Sequence, residues 1–243
     1  MFDLTGKSAL VTGSTQGIGF DIAKTLTEHG ATVFVHGAHD GKKCEGASKK
    51  IAGSSPVLAN LLIPEEIDRL YEKTGDVDIL VLNASIQYKK KWDEATLSDY
   101  EDQMNCNVRA SYLLMQKYAA GMKTKKWGRI VTLGSVNQYK QHPELSIYGA
   151  TKSAQFKLVK SFAAVLAPYG ITVNNVAPGA IETPRNKDVC GDQEKKAAVI
   201  ANIPCGRFGL PTDISPAVLL LCSNEGAYIT GSEILIDGGM SLK

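Results

Sequence analysis

No two cysteines are spaced C-x-x-C, and no apolar run approaches the roughly 18 residues that a membrane span needs. The five cysteines, Cys44, Cys106, Cys190, Cys205 and Cys222, are scattered and odd in number. That argues against a disulfide framework or a zinc site, and it predicts a reducing, cytoplasmic setting. The four histidines show no metal-ligand spacing, so no metal is expected. Charge of one sign is missing too: 27 basic against 25 acidic residues leave a net charge of +2. A balance so close to neutral predicts neither a nucleic-acid partner nor an acidic membrane surface. The basic runs Lys89-Lys90-Lys91 and Lys123-Thr124-Lys125-Lys126 are short and read as solvated faces. The opening Met1-Phe2-Asp3-Leu4-Thr5-Gly6-Lys7 lacks a basic n-region and a long apolar h-region, which predicts no signal peptide. Internal repeats and low-complexity linkers are absent as well.

What is present suits one globular domain over residues 1–243, with 44% hydrophobic and 21% charged residues. Ser8–Thr12, Ala31–Val35, Pro56–Ala59, Asp78–Leu82, Arg129–Leu133, Ile171–Val176 and Glu233–Ile236 read as short buried strands. Between them lie segments of helical spacing. Ile18, Ile22 and Leu26 recur on one face of a helix that stops at Gly30. Residues 41–53 read as a short exposed helix, and Pro64 with Glu65 and Glu66 marks a helix start. A single long helix is expected over about 97–123, with Met104, Val108, Tyr112 and Met115 on one side. Another is expected over Tyr148–Ala167, with Ala154, Leu158, Phe162 and Leu166 at i, i+4 steps, and a further one over Asp213–Cys222. Residues 181–210 carry no confident strand. This alternation predicts an α/β fold: a parallel sheet of about seven strands with helices on both faces. Gly13–Gly19, Asn83, Ser135 and Pro178-Gly179 all follow strand ends, so they are expected at one edge of the sheet, where such folds bind ligands.

Two patterns there carry chemistry. Tyr148 and Lys152 are four apart and share a helix face. An ammonium beside a phenol favours the phenolate, which makes the tyrosine a usable acid or base. Ser135, at the end of the fifth strand, can place its hydroxyl in the same pocket. Earlier in the chain a strand runs into Gly13-Ser14-Thr15-Gln16-Gly17-Ile18-Gly19 and then a helix. Strand, glycine-rich turn and helix N-terminus together suit the pyrophosphate of a dinucleotide. The spacing is G-x-x-x-G-x-G, not the general G-x-G-x-x-G, so an ordinary tight turn stays open on that rule alone.

The ordered set resembles the short-chain dehydrogenase/reductase family over essentially the whole chain. It comprises Thr12-Gly13-x-x-x-Gly17-Ile18-Gly19, Asn83-Ala84, Asn107, Ser135, Tyr148-x-x-x-Lys152, Asn175, Pro178-Gly179-x-Ile181-x-Thr183 and Asp237-Gly238-Gly239. The branch it looks most like holds 3-oxoacyl-carrier-protein reductases and sugar or steroid dehydrogenases. The resemblance implies a doubly wound Rossmann-type domain that moves a hydride between nicotinamide and a carbonyl or secondary alcohol. Tyr148 would be the general acid or base, Lys152 its partner at the nicotinamide ribose, Ser135 the holder of the carbonyl oxygen, and Asn107 the anchor of a water leading from Lys152 to solvent. The three glycines would let the backbone approach the cofactor pyrophosphate, and Thr15, Gln16 and Ile18 would also bind the cofactor. Asn83 would sit against the adenosine ribose, Asn60 would stand at the adenine-reading position, and Ile181 and Thr183 would meet the carboxamide; Leu61, Ala84, Pro178 and Gly179 would also bind the cofactor. The family also implies a homotetramer or homodimer. A nucleotide sensor of the same fold, without turnover, is the alternative; it would not need Ser135, Tyr148 and Lys152 together.

The chain departs from the family pattern at three places. Ser85 stands where a glycine is usual, Asn60 where the adenine-reading acid is usual, and Gly37 where NAD-linked members carry a ribose-binding acid. Without a carboxylate at Gly37, a 2′-phosphate meets no repulsion, and His39, Lys42 and Lys43 offer positive charge. NADP(H) is therefore favoured. NAD(H) stays open, because Gln16 is not basic and Asp40 lies about 20 residues past Gly19, where the general fingerprint expects an acid. Residues between Ser135 and Tyr148, among them Asn137, Gln138 and His142, are expected to line a polar substrate pocket. Gln87, Tyr88, Trp92 and residues 185–208 join them as candidates.

Overall fold

The computed structural model describes residues 1–243. Seven strands form one fully parallel sheet: β1 (Ser8–Val11), β2 (Thr32–Gly37), β3 (Ser54–Leu58), β4 (Ile79–Leu82), β5 (Gly128–Leu133), β6 (Ile171–Pro178) and β7 (Glu233–Ile236). Their order is β3-β2-β1-β4-β5-β6-β7. The chain winds outward from β1 to one edge, then returns and winds from β4 to the other. The reversal between β1 and β4 opens a crevice at their carboxyl ends, the switch point at which such sheets bind ligands.

Alternation along each strand splits the core in two. Ala9, Val11, Ile79, Val81, Val131 and Leu133 face one layer, made by α1 (Gly17–Glu28), α2 (Gly41–Ser48) and α9 (Pro211–Cys222). Leu10, Leu80, Leu82 and Ile130 face the other, made by α3 (Pro64–Thr74), α5 (Ala110–Lys125) and α6 (Ser146–Leu166). Each such large side chain is worth about 1.5–3 kcal/mol when fully buried. The short strands thus hold because both faces are covered.

The structure corrects several expectations. The helix over 97–123 is not continuous: α4 (Leu97–Met104) passes through one π-helical turn, Asn105–Arg109, into α5. The wider turn rotates everything after it. The expected stripe is therefore broken, and α5 buries Leu114, Met115, Tyr118 and Met122 while Tyr112 is exposed. In α6 the inward stripe is Lys152, Gln155, Val159, Ala163 and Leu166, so two polar residues lie on the buried face. Apolar spacing alone picked the neighbouring stripe. α2 is half-buried, with Cys44 and Ala47 inside. The 181–210 stretch holds no strand, as expected; it carries α7 (Lys187–Cys190), α8 (Gln193–Ile200) and a lone bridge between Ile181 and Gly209.

Candidate active site

The first turn of α1 has no side-chain cap and no acidic residue. Its N–H groups therefore face the crevice unpartnered, with the positive end of the helix dipole behind them. Gly13 adopts φ +63°, and a Cβ there would lie 2.9 Å from Ala84 Cα, so the β1 and β4 turns touch through bare backbone. Asn83 locks that contact, since its Nδ2 donates to Thr12 O and Gly13 O, both at 2.9 Å. The second anchor of the glycine turn is His36. It is fully buried, its Nδ1 accepts from Gly13 N at 3.1 Å, and its Nε2–H donates to Ala59 O at 3.0 Å. Burial drives its pKa down to about 4, so the ring stays neutral in the tautomer those two bonds demand. Its place at the end of β2, opposite a glycine turn, is the signal the sequence carries.

On the other wall, β5 delivers Ser135 and α6 delivers Tyr148 and Lys152. Gly149 lets them meet: a Cβ there would sit 2.7 Å from Asn137 O, so the Ser135–Gln138 turn presses directly on α6. Ser135 Oγ accepts from Asn137 N at 3.2 Å and Asn137 Nδ2 at 3.3 Å. Tyr148 is 5% exposed and Lys152 1%. Lys152 Nζ lies 5.7 Å from the Tyr148 ring centre and donates to Leu133 O at 2.6 Å and Gln155 Oε1 at 3.0 Å. Burial, with the Arg185 charge adding to it, pulls the Lys152 pKa down to about 7. Behind Lys152 a polar chain continues inward. Gln155 Nε2 donates to Ser111 Oγ at 2.8 Å, and Ser111 Oγ donates to Asn107 O at 2.7 Å. Sequence reasoning missed Gln155 and Ser111; their spacings of three from Lys152 and four from Asn107 are the signal.

Asn107 sits inside the π-turn, and its side chain is committed. Oδ1 accepts from Ile86 N at 2.8 Å, while Nδ2 donates to Ile86 O at 2.9 Å and Thr151 Oγ1 at 3.0 Å. It pins the loop after β4 to α6.

These walls enclose a cleft of about 300 Å³. Gln16, Gly17, Ile18 and Gly19 line it from the first turn, and Asn83 from the second. Pro178, Gly179, Ile181 and Thr183 close it from β6; Thr183 Cγ2 would lie 3.4 Å from a Cβ on Gly17. Asn137 and His142 line it as expected. Gln138 does not. Its Nε2 donates to Glu233 Oε2 at 2.5 Å and its Oε1 accepts from Ser135 N at 3.3 Å, so the side chain turns toward β7. Tyr88 is held by Asp102 and Trp92 is 79% exposed, and neither reaches the cleft. Contributors the sequence left unnamed include Met240, brought in by the last turn, whose carbonyl accepts from Lys140 Nζ at 3.0 Å. Arg185, from the candidate stretch 185–208, reaches in; its Nη1 and Nη2 donate to Ser85 Oγ at 3.0 Å and Ser85 O at 2.8 Å, giving the serine that replaces a glycine a partner.

Thr15, Gly37, His39, Asn60 and Leu61 lie around the outer end, beyond the cleft lining. Gly37 is buried, and a Cβ would lie 3.1 Å from Thr15 Cγ2 and 3.3 Å from Cys44 Cβ. Asp40 caps α2, its Oδ1 accepting from Lys43 N at 2.9 Å. The Lys43 ammonium reaches across to Gln16 Oε1 at 2.5 Å. A cation from α2 thus stands beside the glycine turn, where Gln16 itself brings none. Asn60 Oδ1 accepts from Leu62 N at 3.1 Å, which leaves one lone pair of that oxygen for a second donor.

The family described as enoyl-(acyl carrier protein) reductase matches residues 13–241. The chain is 37% identical to the 3-oxoacyl-(acyl-carrier-protein) reductase FabG of Aquifex aeolicus, over 98% of both chains. It is also 37% identical to the FabG of Haemophilus influenzae, over 98% of this chain and 100% of that one. Among solved structures, a 3-oxoacyl (acyl-carrier-protein) reductase from Agrobacterium tumefaciens with NADP bound superposes with a TM-score of 0.92 at 33% identity, covering 98% of this chain and 95% of that one. A gluconate 5-dehydrogenase from Burkholderia cenocepacia, in complex with NADP and tartrate, gives a TM-score of 0.92 at 28% identity, covering 100% and 98%.

Proposed function

The chain belongs to the short-chain dehydrogenase/reductase family of nicotinamide-dependent oxidoreductases, and from that premise we propose that its cleft reduces a carbonyl, or oxidises the matching secondary alcohol, with Tyr148 moving the proton. The observation that carries this reading is the pairing of Tyr148, Lys152 and Ser135 with an uncapped helix N-terminus across one cleft. Nicotinamide supplies the hydride when bound. Ser135 Oγ holds the carbonyl oxygen, Tyr148 donates its phenolic proton to it, and Lys152 steadies the phenolate left behind. A lysine whose pKa lies at about 7 exchanges protons readily near neutral pH. A sensor without turnover would have no use for that set.

NADP(H) is the favoured cofactor and NAD(H) the second candidate. Support comes from the absence of a carboxylate at Gly37, the use of Asp40 as a helix cap, and the Lys43 ammonium at Gln16. The relatives' names point to 3-oxoacyl compounds or sugar acids as substrates. We also propose one domain over residues 1–243, a cytoplasmic setting and a homotetramer or homodimer. A single sheet running from Ser8 to Ile236 supports the first, and five unpaired cysteines support the second. No helix is long and apolar enough to cross a membrane.

The test is turnover of NADPH and NADH across 3-oxoacyl thioesters, keto sugar acids and simple ketones. Oxidation of neither cofactor by any of them overturns the enzyme reading, and a preference for NADH overturns the cofactor choice. Lys43→Glu is the sharper probe, because a side chain at Gly37 would also have to displace Thr15 and Cys44. Loss of one charge-assisted contact predicts a fall of about tenfold or more in kcat/KM with NADPH.

A further inference from the structure

Thirty residues line the cleft, and none is an aspartate or glutamate, although the chain carries 25 of them. Lys89, His142, Lys152 and Arg185 all reach it. A concave site lined by one sign of charge concentrates its potential inside. The cofactor phosphates belong to the glycine turn, and Lys152 is engaged beneath Tyr148. Lys89 and His142 remain without a task, and Arg185 is engaged only with Ser85.

Lys89 heads a basic run whose other members are paired: Lys90 with Asp99 at 2.7 Å, and Lys91 with Glu94 at 3.7 Å. Lys89 itself has no carboxylate partner. The Lys90 N–H donates to Glu144 O at 3.0 Å, which ties this loop to the one before α6 and sets Lys89 near His142. His142 Nδ1 accepts from Glu144 N at 3.2 Å, so a neutral ring carries its proton on Nε2, which has no partner. Burial, and then the Lys89 charge, lowers the His142 pKa, which keeps that tautomer populated. Arg185 binds only neutral oxygens of Ser85, so its charge is uncompensated and its remaining N–H groups are free. Lys89 stands on the loop after β4 and His142 on the loop before α6, and both line the cleft together with Tyr148.

We propose that the carbonyl substrate bears an anionic group, a carboxylate or a phosphate, held by Lys89, Arg185 and the His142 Nε2–H. The inference rests on the oxidoreductase reading and narrows its substrate to charged oxo compounds. An arginine fork matches either anion, and a lysine adds a point charge.

Two matched pairs of compounds separate the sources of charge: acetoacetate against methyl acetoacetate, and acetoacetyl-coenzyme A against acetoacetyl-N-acetylcysteamine. We expect kcat/KM to favour the charged member of at least one pair by about tenfold. The first pair identifies a free carboxylate and the second a carrier phosphate. Lys89→Gln should lower that ratio about fivefold or more, Arg185→Gln should lower it too, and Lys89→Arg should restore it. Neutral members used as well as charged ones, or a ratio untouched by Lys89→Gln and Arg185→Gln, would overturn the proposal. If none of the four compounds turns over, binding decides. Malonate should bind the NADP⁺-saturated enzyme more tightly than malonamide by calorimetry, with the difference lost in Lys89→Gln. Equal binding of the two would reject the anion subsite. Failure of NADP⁺ itself to bind would count against the oxidoreductase reading, and malonate would then be measured on the free chain.

Discussion

Tyr148 is asked to move one proton, so its hydroxyl should matter and its ring should not. Tyr148→Phe should cut kcat by about 10²–10⁴ while the affinity for NADPH stays near wild type, read by fluorescence titration. A loss under tenfold would assign the proton to another group. Gln155 does not line the cleft and is a positioning residue, since it accepts from Lys152 Nζ and donates to Ser111. Removing that acceptor makes the ammonium harder to keep, and adding a carboxylate makes it easier. The alkaline limb of the kcat/KM profile should therefore move to lower pH in Gln155→Leu and to higher pH in Gln155→Glu. A purely packing role would move both limbs together or not at all.

Elements are tied to one another by single polar side chains at this site. His36 joins the β1 turn, β2 and the end of β3 through its two ring nitrogens. Its pKa is about 4 in the folded chain against an ordinary 6.5, because burial disfavours the charged ring. Between those values the unfolded chain binds the extra proton, so stability falls as pH falls. The contribution is complete above pH 6.5 and is lost as pH drops to about 4. Urea unfolding should show wild type losing about 2–3 kcal/mol more than His36→Asn between about pH 7 and about pH 4.5. Equal losses would mean that other groups carry the acid sensitivity. The π-turn works in the same way, since it places Asn107 where one side chain holds both the Ile86 backbone and Thr151.

At the scale of the molecule, one face leaves apolar side chains exposed. Tyr112 stacks edge-on against Phe162 with ring centres 5.7 Å apart, yet Tyr112 is 42% exposed and Val165 on α6 is 63% exposed. Ala154, Leu158 and Phe162 form a half-buried stripe on α6, beside the buried one. β7 also ends the sheet as an open edge strand, with Leu235 exposed on it. Apolar faces of this kind mark contacts between symmetric copies. Light scattering at micromolar concentration should give a dimer or tetramer, and Phe162→Glu with Tyr112→Lys should shift it toward the monomer. A wild-type monomer would refute the assembly.

Much of this was legible in the residues themselves. Short apolar runs separated by helical spacing fix a parallel sheet, because strands this apolar must be covered on both faces. Strand ends followed by Gly13–Gly19, Asn83, Ser135 and Pro178 place the cleft, since side chains at the carboxyl ends of parallel strands converge whatever lies between. Tyr148 and Lys152 needed only the helix repeat. Other features are contacts between residues far apart in the chain, and spacing cannot encode them. Gln138 reads as cleft lining until Glu233, 95 residues later, draws it away. The phase of α5 depends on a π-turn that no apolar pattern marks, and the phase of α6 on burying Lys152 and Gln155, which hydropathy assigns to solvent. Lys89 looks like its two neighbours in the sequence. Only folding pairs those two with acids and leaves Lys89 facing a cleft that has none.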